Sequence, residues 1–135
     1  MRSNTDITLY NRYVVNGTEL YQLVQILSVA WENTKAVNVL KSGLLAADSV
    51  TLFIPMARGT NYLKPKAWQD LDAKVGKWTL QPGDVVVKGL VSDTIGTAFT
   101  ITDLKQKHDD VVRITSIDTM DMGSSALQHW RVGAA

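Results

Sequence analysis

Strand signals outnumber helix signals in this chain, because short apolar runs recur along it with turn residues between them. In 6–10, Ile7 and Leu9 alternate with polar residues, as in a strand with one buried face. The run 50–54 is compact and ends at Pro55. No strand alternates with a long helix, so the pattern favours small antiparallel sheets over an α/β fold.

The apolar stretch 19–31 has two interpretations. It follows the turn signal Asn16-Gly17, and residues of both parities are apolar, as in a strand covered on both faces. A helix over most of this stretch is the competing interpretation. We favour the strand because Val24 and Ile26 are β-branched and only Thr18 offers a helix cap.

A hairpin is predicted in the second half of the chain. Residues 81–84 place Pro82 and Gly83 at the two central positions of a type II turn. The flanking runs 78–80 and 85–91 have strand character. The sequence therefore predicts that these two strands pair across the turn.

The remaining elements are a short helix and a closing pair of strands. Residues 102–107 predict a helix with Thr102 as its cap. The runs 111–117 and 127–132 predict an antiparallel pair. The fold class predicted is mainly β: a small antiparallel β-barrel or sandwich with one or two short helices and a long loop over about 56–77.

The long loop over 56–77 has no periodicity and carries an excess of positive charge. Its five cations are Arg58, Lys64, Lys66, Lys74 and Lys77, and its acids are Asp70 and Asp72. Within it, 64–71 predicts one or two helical turns, because Pro65 suits the first helical position. Loops of this length in small domains are usually functional or disordered, so this loop is the candidate functional segment.

Length and composition indicate one globular domain over residues 1–135. The absence of cysteine excludes zinc ribbons, disulfide scaffolds and cysteine nucleophiles. With a formal net charge of +1, any nucleic-acid contact needs a local patch. The apolar stretch 20–30 is shorter than the roughly 20 residues that cross a bilayer, and the polar start 1–6 is no secretory signal, so we expect no membrane partner.

Catalytic patterns are weak. The only histidines are His108 and His129, and neither has the setting of a catalytic triad. Residues 118–123 lack the ligand spacing of a calcium loop, and the glutamates Glu19 and Glu32 lack a sugar-binding platform. We expect that the protein is not an enzyme and that it uses no cofactor and no metal.

Aromatic residues in the basic loop allow a nucleic-acid interpretation. Lysines with Tyr62 and Trp68 between them would suit a phosphate backbone whose bases stack on the rings. An ordinary solvated loop is the alternative that we favour on these residues alone. The four tryptophans, Trp31, Trp68, Trp78 and Trp130, are more often core anchors than binding platforms.

Five segments carry a resemblance to a known family: 30–32, 46–55, 62–68, 78–89, and the ending formed by Gly123 with 127–132. In this order they resemble small structural proteins of tailed phages and prophages. The proteins of this kind are head-completion or head-tail connector proteins. The likeness covers most of residues 6–133 and includes no catalytic motif.

The resemblance implies a virion structural protein in the neck, at the head-tail interface, assembled in the host cytoplasm. Within the group the chain is most similar to the stopper, a small β-barrel whose long loop projects into the channel, retains packaged DNA and leaves a docking surface for the tail. The implied partners are a homo-oligomeric ring of six-fold or twelve-fold symmetry, the adaptor or portal ring on the head side, the tail terminator or tail tube on the tail side, and double-stranded DNA in the lumen. Residues 56–77 would be the loop, with Arg58, Lys64, Lys66, Lys74 and Lys77 near the DNA.

Two other functions remain open on the sequence. A tail terminator belongs to the same class of ring proteins. A small nucleic-acid-binding β-barrel belongs to a different class and would stack bases on Trp78 or Tyr62. The segment 33–49 is an arm reaching the next subunit in our hypothesis, with a strand or a helix as alternatives.

Overall fold

The structure is a computed structural model that describes residues 4–34, 49–96, 98–124 and 127–135. Its strands are β1 Thr5–Val15, β2 Thr18–Thr34, β3 Ser49–Pro55, β4 Val85–Lys88, β5 Val111–Met120 and β6 His129–Ala134. Its helices are α1 Pro65–Gln69 and α2 Ile101–Lys107, and a 3-10 turn covers Met56–Arg58.

The six strands form a closed barrel in the order β1-β2-β3-β6-β5-β4, closed by pairing of β4 with β1. Every strand pair is antiparallel, so strand direction alternates around the barrel. The β1–β2, β3–β4 and β5–β6 connections therefore share one end, termed the upper end. The β4–β5 connection and the C-terminus lie at the lower end. The predicted mainly β fold with two short helices is confirmed as a closed antiparallel barrel.

The hairpin of β1 and β2 confirms the strand interpretation of 19–31, and the helix alternative is wrong. Its turn residues Asn16 and Gly17 have φ of 52° and 79°, and two successive positive φ angles suit the right-handed twist of a two-residue hairpin. The register places Val15 opposite Thr18. Strand β1 extends five residues past the predicted run 6–10, and β2 extends three residues past the predicted run 19–31.

Two hydrophobic clusters lie on opposite faces of the sheet. The main core fills the barrel and includes Leu9, Leu52 and Val86, with three of the tryptophans, Trp31, Trp78 and Trp130. A second cluster lies outside the barrel, where Tyr10, Val85 and Val87 pack with Leu104 of α2. Strand β4 is consequently buried on both faces, which explains its run of three valines.

A bulge in β2 lies just before the point at which this strand begins to pair with β3. The β1–β2 register shifts between Thr5 and Ile7, and Ser28 has a φ of 59°. The Asp6 carboxylate accepts a hydrogen bond from the Ser28 amide at 2.9 Å. Strand β2 pairs with β3 only from Ala30 onward. Before the bulge, β1 is the only strand partner of β2 in the described part of the chain.

The predicted strand 78–80 is wrong. Trp78 forms only an isolated parallel bridge with Tyr62. The reason is that the Asn11 side chain makes the hydrogen bonds that a neighbouring strand would otherwise make. Asn11 Nδ2 donates to the Thr79 carbonyl at 2.7 Å, and the Thr79 amide donates to Asn11 Oδ1 at 3.1 Å. The backbone amide and carbonyl of Thr79 are therefore satisfied without a neighbouring strand.

The predicted turn before β4 is confirmed, although the hairpin is not. The Asp84 amide donates to the Gln81 carbonyl at 3.2 Å, and Gly83 has a φ of 93°, as the third position of a type II turn requires. After the turn, β4 pairs with β1 and β5 and ends at Lys88, three residues before the predicted end.

The cap of α2 is Thr100, so the prediction of Thr102 is wrong. The Thr100 hydroxyl accepts a hydrogen bond from the Asp103 amide, and the Asp103 carboxylate accepts one from the Thr100 amide. This capping box satisfies two otherwise unpaired donors and needs residues three apart, a spacing that Thr102 does not have with Asp103.

Of the segment 33–49, for which we predicted an arm, residues 35–48 lie outside the described residues. Residues 33 and 34 belong to β2, and Ser49 begins β3.

Gly59 follows the 3-10 turn and lies against the core tryptophan Trp130. A Cβ at Gly59 would be 2.8 Å from Trp130 Cη2 and 3.0 Å from the Met56 carbonyl oxygen. Because the φ of Gly59 is −86°, the backbone accepts alanine and the cost is steric. We expect Gly59→Ala to lower the free energy of unfolding by about 1–3 kcal/mol in urea denaturation.

A suitable control for this substitution is Gly96→Ala. A Cβ there meets nothing within 4 Å, and its φ is not positive. The control should stay within about 0.5 kcal/mol of the parent protein. Equal losses at both glycines would contradict the close approach of Trp130.

Candidate functional site

The basic connection between β3 and β4 lies at the upper end of the barrel, and residues 56–77 of it are termed the upper segment. It contains the 3-10 turn and α1, which confirms the helical turns predicted at 64–71. Pro65 occupies the start of the helix, where its missing amide hydrogen costs no hydrogen bond. The Trp68 amide donates to the Lys64 carbonyl at 2.9 Å and closes the helical turn.

Trp68 anchors the upper segment to the barrel. Its side chain is 0% exposed. Its Nε1 donates to the Lys77 carbonyl at 3.1 Å, and the Tyr13 ring of β1 meets it edge-on at 5.7 Å between centroids. The interpretation of Trp68 as a base-stacking residue is therefore corrected, because its ring does not reach the surface.

Two of the predicted cations contribute to this anchoring. Lys74 Nζ donates to the carbonyls of Leu71 at 2.6 Å and Gln69 at 3.1 Å. The same ammonium group lies over the rings of Tyr13 and Trp68, at 5.0 and 5.3 Å from their centroids, within cation–π range. Lys74 is thus engaged within the fold.

Lys77 is more exposed and has a weaker contact. Its Nζ lies 3.4 Å from Asn61 Oδ1, a long hydrogen bond across the upper segment. Its backbone is fixed, since the carbonyl accepts from Trp68 and the amide donates to the Lys74 carbonyl at 3.0 Å. The position of Lys77 is therefore determined, and its charge is at the surface.

The other three predicted cations, Arg58, Lys64 and Lys66, are exposed. Within the described part of the chain their side chains make no ion pair and no hydrogen bond. The structure thus separates the five cations into two groups: Lys74 and Lys77 have partners, and these three are available to a ligand.

Tyr62, the second predicted aromatic residue, lies between the upper segment and the core. Its ring centroid is 4.4 Å from that of Trp130 and 5.1 Å from that of Trp78. Burial raises the pKa of the Tyr62 hydroxyl. Because the ring packs against two core tryptophans and remains partly exposed, it fixes the start of the upper segment more than it offers a free stacking face.

A buried polar cluster around Asn11 and Asp84 secures the other end of this connection, and sequence patterns did not identify it. Both side chains are fully buried. The Asp84 carboxylate accepts from Asn11 Nδ2 at 2.7 Å, from the Arg12 amide at 2.9 Å and from Gln81 Nε2 at 3.1 Å. Asn11 also holds the backbone of Thr79, as described above.

The electrostatics of this cluster follow from its burial. Desolvation raises the pKa of Asp84, and hydrogen bonds from Arg12, Gln81 and Asn11 partly oppose that increase. In the sequence, Asp84 was only the fourth residue of a turn and Asn11 lay at the end of a strand signal. No local pattern indicates that residues 73 positions apart bond to each other.

A second polar group lies at the lower end of the barrel. His108 Nε2 lies 2.9 Å from Asp93 Oδ2, and Lys107 Nζ lies 2.8 Å from Asp93 Oδ1. The Tyr10 hydroxyl donates to the Asp93 carbonyl at 2.6 Å. Hydrogen bonds from His108 and Lys107 lower the pKa of the Asp93 carboxyl. This group fastens the connection between β4 and β5 to the outer face of the sheet.

Neither a metal centre nor a spanning helix was found in the part of the chain that the structure describes. There, His, Cys, Asp and Glu side chains form no group of three or more that could hold a metal ion. No helix within the same residues has the length and apolar character needed to cross a membrane.

The fold and the site define a class: a closed six-stranded antiparallel barrel that displays a basic, firmly anchored segment at one end. The chain belongs to a protein family described as a family of unknown function (DUF6751), whose model matches residues 2–135. Comparison with curated proteins gave no match. Comparison with solved structures gave none either.

Proposed function

We propose that this protein is a virion structural protein of the head-tail junction, a head-completion or stopper-type ring subunit that retains packaged DNA and offers a docking surface for the tail. The resemblance of its segments to the small connector proteins of tailed phages first suggests this function. The structure adds support in the form of a small rigid barrel with a long connection displayed at one end.

The observation that carries the proposal is the exposure of Arg58, Lys64 and Lys66 on a segment with fixed ends. Trp68 anchors the middle of the segment, and the Asn11–Asp84 cluster lies just beyond its end. Cations on such a segment can meet a phosphate backbone with little further loss of backbone conformational entropy. In a ring, the same three cations recur once per copy, so individually weak contacts add together.

The burial of the tryptophans argues against the free-standing nucleic-acid-binding barrel. That function needs exposed aromatic rings on the binding face. Trp68 and Trp78 are buried, and Tyr62 packs against two core rings. A single copy therefore offers only a modest cationic patch, and we expect weak, salt-sensitive DNA binding by the isolated protein.

The test of the proposal is the triple variant Arg58→Ala, Lys64→Ala, Lys66→Ala, introduced into the parent phage or prophage. We expect particles that assemble but retain several-fold less packaged DNA, because the lost contacts are with phosphate. Electron microscopy and nuclease-protected DNA per head provide the measurement. Retention equal to that of the parent would contradict the role of these cations.

The matched control removes three exposed lysines from the lower end: Lys88, Lys105 and Lys107. This variant loses the same net charge, so a general charge effect would reduce DNA retention in both triple variants. We expect parental retention in the control. Thermal unfolding of both variant proteins is measured as well, because removal of Lys107 breaks its ion pair with Asp93 and can change stability.

Deletion of the gene distinguishes a stopper from a tail terminator. Tailless heads that have lost their DNA, beside finished free tails, are expected for a stopper. DNA-filled heads beside tails of abnormal length would instead identify a tail terminator. Intact infectious particles would reject both.

A further inference from the structure

Above the bulge, no strand of the described residues pairs with the second edge of β2. On the β1 side, the Arg12 amide donates to Asp84 and the Arg12 carbonyl accepts from Gln69 Nε2 at 2.9 Å, both away from β2. In an antiparallel pair, the residue opposite Arg12 also directs its amide and carbonyl away from the partner strand. That residue is Tyr21. Hydrogen-bonding groups of β2 therefore face outward at Tyr21 and at every second residue on either side.

The residues of β2 whose backbone amide and carbonyl groups point away from β1 are Glu19, Tyr21, Leu23 and Gln25. No backbone hydrogen bond from the described residues reaches this edge, and the Leu23 carbonyl accepts one long bond, 3.3 Å, from the neighbouring Gln22 side chain. The equivalent edge of β1 is covered by side chains, as shown for Arg12. An uncovered strand edge is a template for pairing with another chain.

A groove with a mixed polar and apolar lining continues from this edge where β3 leaves β2; Gln25, Thr60 and Asn61 line it together with apolar side chains. It has a volume of about 270 Å³ and lies between residues 24–27 of β2 and the upper segment, with Arg58 at its side and Trp78 among its lining residues. Leu27 is 52% exposed beside it. Arg58 has no acidic partner among the described residues. The groove thus combines apolar side chains and uncharged polar ones with one available positive charge.

The turn between β5 and β6 carries exposed apolar side chains and negative charge, which complement the groove and its Arg58. Met122 is 85% exposed and Leu127 is 62% exposed, so two apolar side chains of this turn are accessible to a partner. Exposed carboxylates flank them at Asp118 and Asp121, and neither has an ion pair with a described residue. Gln128 Nε2 donates to the Asp121 carbonyl at 3.0 Å and thus links residues on either side of the turn.

We propose that the β5–β6 turn of one copy docks in the β2 groove of a second copy, with Met122 and Leu127 against Leu27 and with Asp121 facing Arg58. Exposed apolar side chains meet in this contact, and the available Arg58 meets the acidic Asp121. The contact joins two different surfaces of the chain, as the head-to-tail contact of a ring does. The inference rests on the proposed function, because it names the contact between neighbouring ring subunits.

The absence of cysteine makes a direct cross-linking test possible. A Leu27→Cys protein is mixed with a Met122→Cys protein that carries a size tag, and the mixture is oxidised mildly over a series of protein concentrations. We expect a disulfide-linked heterodimer from the mixture and little homodimer from either protein alone. Leu90→Cys replaces Leu27→Cys in the control, because Leu90 is similarly exposed, at 48%, at the lower end.

Charge reversal provides the second test. Arg58→Glu added to the Leu27→Cys protein should reduce the heterodimer yield about tenfold, because like charges then meet across the contact. Asp121→Arg in the Met122→Cys protein should restore most of the yield. Cross-linking no greater than in the Leu90→Cys control, preferential Leu27→Cys homodimers, or absence of rescue would each overturn the assigned contact.

The two proposals fail in different ways. If the cross-link is absent but a Lys64→Ala, Lys66→Ala variant, which keeps Arg58, loses packaged DNA, the contact is wrong and the proposed function stands. If the cross-link forms but gene deletion leaves intact particles, the copies associate as inferred and the connector function is wrong.

Discussion

Trp68→Ala should lower the free energy of unfolding by about 3–5 kcal/mol. The side chain is fully buried, its ring packs against Tyr13, and its Nε1 bonds to the Lys77 carbonyl. Truncation leaves a cavity beneath the upper segment, and it also leaves that carbonyl without its partner. Guanidinium denaturation followed by circular dichroism measures the loss.

A second readout separates local from global effects of this substitution. The upper segment contains trypsin sites after Arg58, Lys66, Lys74 and Lys77. We expect Trp68→Ala to accelerate cleavage at these sites under native conditions, because the anchor of the segment is lost. Trp68→Phe, which keeps most of the packing, should be intermediate.

Val75→Ala is the matched control in the same segment, since Val75 is 82% exposed. It should change stability by no more than about 0.5 kcal/mol and leave the cleavage rate unchanged. If Trp68→Ala were as mild as this control, the segment would not depend on Trp68 for its position.

Asn11→Ala should lower the free energy of unfolding by about 3 kcal/mol at neutral pH. The amide side chain makes three buried hydrogen bonds, two with the Thr79 backbone and one with the Asp84 carboxylate. Alanine leaves all three partners buried without a replacement. Urea denaturation at a series of pH values measures the effect.

The cost of Asn11→Ala should also increase with pH. Burial raises the pKa of Asp84 above its ordinary value of 3.8, so its contribution to stability is full below that value and is lost as the pH rises through the raised one. The hydrogen bond from Asn11 lowers the pKa of Asp84 and so limits this loss. Without Asn11, the carboxylate form is less stable in the fold, and the loss on raising the pH is larger.

Asp84→Asn provides the control for the pH dependence. The difference between Asn11→Ala and the parent should change with pH, whereas the same difference measured in the Asp84→Asn background should not. Carboxyls with lowered pKa, such as Asp93, cancel in these differences. If the loss of stability caused by Asn11→Ala is independent of pH in both backgrounds, Asp84 does not titrate over the pH values measured.

Structural elements that depend on residues close together in the sequence could be predicted from the sequence. The Asn16-Gly17 turn, the β-branched run of β2 and the helix start at Pro65 each depend on residues close in sequence. The cap of α2 was misassigned because Thr100 and Thr102 are chemically equal candidates. Only the reciprocal bond of Thr100 with Asp103 distinguishes them.

The candidate site was only partly predictable for the same reason. The sequence identified the five cations of the upper segment. It did not separate Lys74, which bonds within the fold, from Arg58, Lys64 and Lys66, which do not. Nor did it place Trp68 in the interior, because a tryptophan beside lysines has the same local pattern on a surface or in a core.

By itself, the sequence determined a mainly β fold, its turns and a long basic connection, because these follow from local conformational preference and alternation of apolar residues. Tertiary structure decided that the barrel closes through β4 and β1, that the backbone of Thr79 is bonded by Asn11 and not by a strand, and which charges remain available. These outcomes depend on contacts between residues far apart in the chain, whose free energy is determined by burial and hydrogen bonding in the assembled fold.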